Sequence, residues 1–320
     1  MLADLLGSIP SPSSGQLQIG PLRLTAYGLM IALGVVAAVE IARRRHAHRG
    51  GDPDDFSSIA VWAVIAGLIG ARIYHVLTDL ERFRGNWGDV IAVWKGGLGI
   101  PGGLLAGVLV GLWAARRRGL SLPYAMDMAA PAIPVAQAIG RFGNWWNQEL
   151  FGGPTSLPWG LEIDPDHRPV GYENEATYHP TFLYEALWNV GLALFIVWLE
   201  RRTRDRLRPG SMFAIYVAGY GVGRFWVESL RIDPAQQLFG MRFNLLLAAV
   251  TALIAVGWLV LFGLRRPDVG LGQLEGEPLD VREWAADEAD GGAATDRPQP
   301  LDEAVAAEGA AESQAGPTES

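Results

Sequence analysis

The chain has 320 residues, 50% of them hydrophobic and only 19% charged, with 34 acidic against 26 basic residues and no cysteine. That balance belongs to membrane proteins rather than soluble domains. The missing thiols exclude disulfides, thiolate metal sites and an enzyme-borne cysteine nucleophile. The net charge of −8 collects in the C-terminal tail (Glu275, Glu277, Asp280, Glu283 and onward), so it describes no steering surface, and no nucleic-acid partner is expected.

Residues 1–23 read as a flexible extracytoplasmic leader: "SIPSPSSGQ" is rich in Ser and Pro, and no basic n-region marks a cleaved signal peptide. Seven stretches then approach the roughly 20 apolar residues that a membrane helix needs. They fall at 24–42, 56–77, 98–115, 125–147, 181–199, 211–230 and 243–264, which gives an all-α, polytopic membrane domain over 24–266. The fourth stretch carries Pro131 and Pro134, which a span tolerates where neighbours satisfy the freed carbonyls. Composition turns to Asp, Glu, Ala, Gly and Pro after Pro267, and 267–320 reads as a disordered acidic cytoplasmic tail.

Basic clusters set the orientation. Arg43, Arg44, Arg45 and Arg49 follow the first stretch and Arg116, Arg117 and Arg118 the third. Arg201, Arg202, Arg204, Arg206 and Arg208 follow the fifth, and Arg265 and Arg266 the seventh. The alternate loops are poorer in such clusters, so the N-terminus is expected outside and the C-terminus in the cytoplasm.

Against this greasy background the polar residues stand out. Arg72, Arg141 and Arg224 fall in or at the ends of spans, accompanied by Glu149, Glu185 and Glu228. An arginine at a membrane-helix centre costs about 2.5–3.5 kcal/mol on insertion scales, so such residues face a cavity or a partner. Arg141 and Asn144 are i, i+3 on one helix face, and Arg224 and Glu228 are i, i+4 and able to pair. "GGLGIPGGLLAG" at Gly96–Gly107 reads as a small-residue packing face or as a Gly-rich helix entry for phosphate oxygens. Plainer readings stand beside these. Arg72 next to His75 can snorkel, Trp145 and Trp146 suit an interfacial belt, and His46 and His48 read as solvated loop residues. What packing alone leaves unexplained is the convergence of several costly groups, on separate helices, near one membrane depth.

Two or more arginines lining a membrane cavity suit an anionic ligand, and guanidinium forks match phosphate bidentately. A nearby carboxylate or Tyr can relay a proton. No HExxH, Asp-rich or Cys/His motif is present, so neither metal nor cofactor is expected. A transporter or flippase for an anionic lipid is the alternative from another class. It predicts charge distributed along a path through the bilayer.

"GRFGNWWNQELFG" at Gly140–Gly152 resembles the signature of the bacterial phosphatidylglycerol–prolipoprotein diacylglyceryl transferases. "HPTFLYEALWN", "GRFWVESLRID" and "TAYGLM" are similar to the family's other characteristic segments. The resemblance implies transfer of diacylglyceryl from phosphatidylglycerol to the lipobox cysteine of a preprolipoprotein signal peptide, in a multi-pass protein of the bacterial cell membrane. It assigns phosphatidylglycerol binding to Arg141, a second essential cation to Arg224, and further site roles to Tyr27, Asn144, Glu149 and Glu228. Gly102, Gly103, Gly152 and Glu185 complete the expected substrate-binding set. The family often has His before the paired glycines of its third span; here the residue is Pro101, so either that His is dispensable or another group substitutes, with His179 and Tyr27 as candidate bases.

Overall fold

The computed structural model describes residues 7–19, 22–92, 96–203 and 206–264. The first helix, α1 (Ala26–Ala47), starts where the Thr25 hydroxyl accepts the Gly28 amide at 3.0 Å. Asp52 caps α2 (Pro53–Thr78), which has proline in its first turn, where no helical amide is lost. Then follow α3 (Ile100–Arg117), α4 (Leu122–Ala129), α5 (Ala132–Asn147), α6 (Thr181–Thr203), α7 (Ser211–Leu230) and α8 (Phe243–Trp258), the last running into a π-helical turn at Leu259–Gly263. Three two-stranded antiparallel ribbons decorate the helices: β1 (Gln16–Ile19) with β2 (Leu22–Thr25), β3 (Leu161–Glu162) with β4 (Thr177–Tyr178), and β5 (Gln237–Leu238) with β6 (Met241–Arg242).

Among the described residues, four helices are long and apolar enough to cross a membrane: Ala26–Ala47, Pro53–Thr78, Thr181–Thr203 and Phe243–Gly263. The stretch expected as one span over 125–147 is instead two helices. Pro131 stands between α4 and α5 as the residue that caps the second, because its ring and missing amide prevent a continuous ladder. The exposure pattern is inverted relative to a soluble protein. Leu253 and Leu194 are 71% and 66% exposed, while Glu228 and Asn189 are completely buried. Lipid accepts apolar side chains on the outside, and charges are sequestered between helices.

Close backbone approach holds the helices together. Gly67, Gly70, Gly102, Gly103 and Gly107 line the seam between α2 and α3, where a Cβ on Gly102 would collide with the Gly70 carbonyl and with Tyr74. On α1, a Cβ at Gly34 would lie 2.9 Å from the Ala136 carbonyl of α5, and one at Gly221 on α7 would lie 2.8 Å from Ala252 of α8.

One end of the bundle collects the basic helix termini. Arg45 grips Glu200 through both terminal nitrogens at 2.6 and 2.8 Å, and Arg49 joins the same carboxylate at 2.6 Å. The Asp127 carboxylate accepts the amides of Gly210 and Phe213 at the start of α7. His46, expected in solvent, is 1% exposed. Its ring meets the Tyr124 hydroxyl at 2.8 Å and Asp55 at 3.4 Å, and Asp55 also faces Arg118 at 3.3 Å. His48 is exposed as expected.

The leader also differs from expectation. Residues 7–19 are strapped to the protein: Ile9 bridges to Leu161, Ser8 and Ser11 bond Glu162, Trp145 donates to the Pro10 carbonyl at 3.1 Å, and β1 pairs with β2. Serine and proline are poor helix formers, but their hydroxyls and free carbonyls serve an irregular strap well. The acidic tail expected over 267–320, together with Arg204, Arg265 and Arg266, lies outside the described residues.

The glycine seam gives a test. Gly102→Ala should destabilise the protein by about 1–3 kcal/mol through overpacking. Gly191→Ala, where a Cβ meets nothing within 4 Å, should be neutral or slightly stabilising. Equal thermal unfolding of the two variants in detergent would contradict the packing role of Gly102.

Candidate active site

The site lies at the end opposite the basic termini, where α5 finishes, α6 begins and α7 finishes. Arg141 Nη2 stands 2.6 Å from Glu185 Oε1, and Arg224 Nη1 stands 3.4 Å from Glu185 Oε2. Guanidiniums from α5 and α7 therefore flank one carboxylate from α6. The Glu185 side chain is 3% exposed, against 20% for Arg141 and 16% for Arg224, so the carboxylate sits behind and the arginines in front.

Each arginine is steadied by its own partners. Arg141 Nη1 donates to Asn144 Oδ1 at 3.2 Å, and Asn144 Nδ2 donates to Glu149 Oε1 at 2.9 Å, an oxygen that Asn147 also reaches at 3.2 Å. Arg224 Nη2 pairs with Glu228 Oε2 at 2.8 Å, the i, i+4 contact expected from the sequence. Glu228, fully buried, is held further by Arg231 at 3.2 Å and by Arg242 at 2.8 Å. Asp233 closes the network, taking Arg231 bidentately at 2.7 and 2.8 Å and Arg242 at 3.2 Å. A buried carboxylate is tolerable only with such partners, because an unpaired one costs several kcal/mol. A small cavity beside Arg141 is lined by Asn144, Thr181, Phe182, Glu185 and Arg231.

The other expected residues fall in three places. Tyr27 packs on the signature helix, with its Cδ2 2.5 Å from where a Gly143 Cβ would lie; glycine there is what lets α1 and α5 meet. Gly152 donates its amide to the His179 carbonyl at 2.9 Å, and a Cβ would press on His179 and on the Leu230 carbonyl. The His179 ring is 3.2 Å from the Tyr184 hydroxyl, which accepts from Trp159 at 3.2 Å while its ring stacks on Trp226. His179 thus adjoins the signature loop, but through backbone bonds. Gly102 and Gly103 are not brought to Arg141; they lie in the α2–α3 seam.

Arg72 does not snorkel. It is 8% exposed and donates to the carbonyls of Val90, Gly96 and Gly97 at 2.7, 2.6 and 2.9 Å, and to that of Asp89. It organises the α2–α3 connection. Trp145, read as a belt anchor, stacks on Phe182. Arg231, Asp233 and Arg242 were not singled out from the sequence. The first two end the quoted segment "GRFWVESLRID", which is a signal of sorts. Arg242 precedes an apolar helix and reads locally as an interface anchor.

The sequence pattern of the prolipoprotein diacylglyceryl transferases matches residues 15–261. The chain belongs to this family. Among its relatives, phosphatidylglycerol–prolipoprotein diacylglyceryl transferase 2 of Streptomyces coelicolor is 46% identical over 305 residues, covering 94% of this chain and 92% of the relative. A phosphatidylglycerol–prolipoprotein diacylglyceryl transferase of Frankia alni is 49% identical over 266 residues, 82% of this chain and 69% of its own length. One from Cutibacterium acnes is 49% identical over 250 residues, 77% and 82% respectively. In this transferase the four arginines and four carboxylates of the network come from α5, α6, α7, the segments that follow α5 and α7, and β6.

Burial pushes the Asp233 carboxyl up, but the hydrogen bonds and charge of Arg231, and then of Arg242, outweigh it and hold the group below its ordinary value. A depressed folded value contributes stability that is complete above the unfolded value near 3.9 and is lost as pH falls through the folded one. Asp233→Asn should therefore be less stable than the parent at pH 7, with the gap closing below about pH 4. Tryptophan-monitored unfolding across that range measures it; a gap that stays constant into acid contradicts the linkage.

Proposed function

We propose that the two-arginine site carries the family's reaction. The phosphate of phosphatidylglycerol binds against the outward edges of Arg141 and Arg224, and the diacylglyceryl group passes to the lipobox cysteine of a prolipoprotein signal peptide. One observation carries this reading: two guanidiniums from different helices already converge on a single anionic group, Glu185, at 2.6 and 3.4 Å. Guanidinium N–H groups not spent on Glu185 match phosphate oxygens in the same fork geometry.

The chemistry follows from the charges. The substrate thiol sulfur attacks the terminal methylene of the diacylglyceryl group. A carbon–sulfur bond forms, the carbon–oxygen bond to phosphate breaks, and the bonding pair leaves with glycerol 1-phosphate. The phosphodiester carries one negative charge and the departing monoester gains another, while the thiol proton passes to a base. Arg141 and Arg224 stabilise the charge that develops on the leaving oxygen. In water-poor sites, one such donor is worth about 2.7–4 kcal/mol, or roughly 10²–10³ in rate. Because a free thiol with a pKa near 8.5 is only slightly ionised at neutral pH, a base on the protein helps. Pro101 supplies none; His179 and Tyr27, which pack against the signature segment, are the candidates for this role. Asn144 and Glu149 hold Arg141 in position, and Glu228 does the same for Arg224.

The membrane arrangement belongs to the same proposal. α3, α5 and α7 cross alongside the four long apolar helices, giving seven passes of the bacterial cell membrane, with the broken α4–α5 pair serving as the fourth. Arginine clusters at one end of the bundle support a cytoplasmic placement of that end, which puts Arg141 and Arg224 in the outer half, within reach of a signal peptide delivered there. A transporter would need polar groups along the whole path. Instead, the acids and bases of the basic end are paired with one another.

Purified protein incubated with labelled phosphatidylglycerol and a lipobox peptide tests the reading, because only transfer alters the peptide's mass. Arg141→Ala should abolish transfer, and Arg141→Lys should recover little, since an ammonium cannot reproduce the fork. Near-normal turnover by the lysine variant would remove the bidentate argument.

A further inference from the structure

The turn that ends α5 carries a residue that backbone physics disfavours. The Glu149 amide bonds the Asn144 carbonyl at 3.1 Å and the Gln148 amide bonds that of Trp145 at 3.2 Å, the paired closure of a Schellman turn. Its left-handed position, with φ 50 and ψ 49, belongs to Gln148. Glycine is favoured there because a Cβ crowds the following carbonyl. Two residues on, Leu150 is also left-handed, with φ 61, and its carbonyl is fixed by the Thr181 hydroxyl at 2.6 Å. Glu149 is thus displayed between two residues in uncommon conformations, an arrangement that persists only where the surroundings over-determine it.

The Gln148 side chain supplies that determination on one side. It is 4% exposed, and its amide is used in both directions. Nε2 donates to Asp164 Oδ2 at 2.6 Å, and Oε1 accepts the Asp164 backbone amide at 2.8 Å. The same Nε2 reaches the Pro12 carbonyl of the N-terminal strap at 3.4 Å. A glycine would suit the backbone and make none of these bonds.

We propose that Gln148 and Asp164 are positioning residues for the transfer reaction. Their reciprocal amide clasp sets the exit direction of the chain after α5. It thereby holds Glu149 against Asn144, and Asn144 against Arg141. This rests on the reading of the Arg141 cluster as the active site. The clasp touches no reacting atom; it acts on the orientation of the Arg141 fork, where a misplacement on the order of 1 Å costs about a hundredfold in rate.

The decisive variant is Gln148→Gly, because a purely structural role and a positioning role predict different results. Gln148→Gly relieves a left-handed Cβ but gives up the bonds to Asp164 and Pro12, so thermal stability in detergent reads the structural contribution alone, and a purely structural role predicts full kcat wherever the variant is folded. The positioning role predicts instead that kcat in the labelled phosphatidylglycerol and lipobox-peptide assay falls about tenfold or more, with KM for the lipid little changed. Asp164→Ala should reproduce that loss, Asp164→Asn should retain most activity because its amide oxygen still accepts from Gln148, and the double variant should be no worse than the worse single one. Full kcat in either Gln148→Gly or Asp164→Ala overturns the proposal, as does a double variant whose losses multiply. Arg141→Ala in the same assay separates the two levels. If it stays active, the reading of the site fails; if it is dead while Gln148→Gly is fully active, only the clasp fails.

Discussion

The site depends on one buried carboxylate, Glu185, held between two guanidiniums that come from different helices. Arg141 and Arg224 repel each other, and neither could sit between apolar helices without a counter-ion. Glu185 at 2.6 and 3.4 Å makes both burials tolerable at once. Removing it would leave Arg141 without a carboxylate partner and Arg224 with Glu228 alone, and breaking a buried pair of this sort costs roughly 3–5 kcal/mol. The same contact closes α5 and α7 onto α6, so the interaction that solves the electrostatic problem also fixes the spacing of the arginines.

The network extends past this triad in two directions of different character. Towards α7 it is ionic, running through Glu228 to Arg231, Arg242 and Asp233, and it ties the loop before α8 to the end of α7. Towards α5 it runs through amides, with Asn144 standing between Arg141 and the Glu149 carboxylate, and Gln148 between the left-handed turn and Asp164. Amide contacts fix direction without adding charge. Arg141 is thereby oriented by neutral donors and acceptors, while Arg224 is oriented by a second carboxylate. The two guanidiniums that flank Glu185 therefore have different electrostatic surroundings.

Much of this was legible in the sequence, and the limits follow from range. Arg141 with Asn144 and Arg224 with Glu228 could be paired on paper because helical spacing places them on one face. Glu185 could be named as a polar residue in an apolar helix, but its place between both arginines depends on three helices packing together. Arg242 joins Glu228 across 14 positions and a hairpin, and no period marks such a contact. His46 and Arg72 were misjudged for the same reason. Each finds its partners on other elements, so neither the loop-like neighbourhood of His46 nor the place of Arg72 near a span's end said what would bury it. Gly102 and Gly103 were open to two readings, seam or anion nest, and the collision of a Gly102 Cβ with the Gly70 carbonyl favours the seam. The contacts of residues 7–19 were not foreseen because a strap has no hydrophobic period to betray it.

The charge count within the network bears on how the enzyme uses its arginines. Four guanidiniums, those of Arg141, Arg224, Arg231 and Arg242, are matched in number by four carboxylates: Glu185, Glu228 and Asp233, which pair with them, and Glu149, which is reached through Asn144. The cluster is formally neutral, so it offers little long-range attraction for a lipid carrying one negative charge. The lipid's acyl chains, already at home against the exposed leucines of the helices, can supply binding that is equal in the ground and transition states. On the proposed reading, what the oriented N–H groups of Arg141 and Arg224 add is local and directional, and it grows as a phosphodiester becomes a phosphomonoester with a further charge. Only interaction that strengthens along the reaction coordinate accelerates the chemical step. On that reading a neutral cluster of fixed guanidiniums serves catalysis better than an excess of positive charge would, because an excess would bind substrate more tightly without lowering the barrier from the bound state.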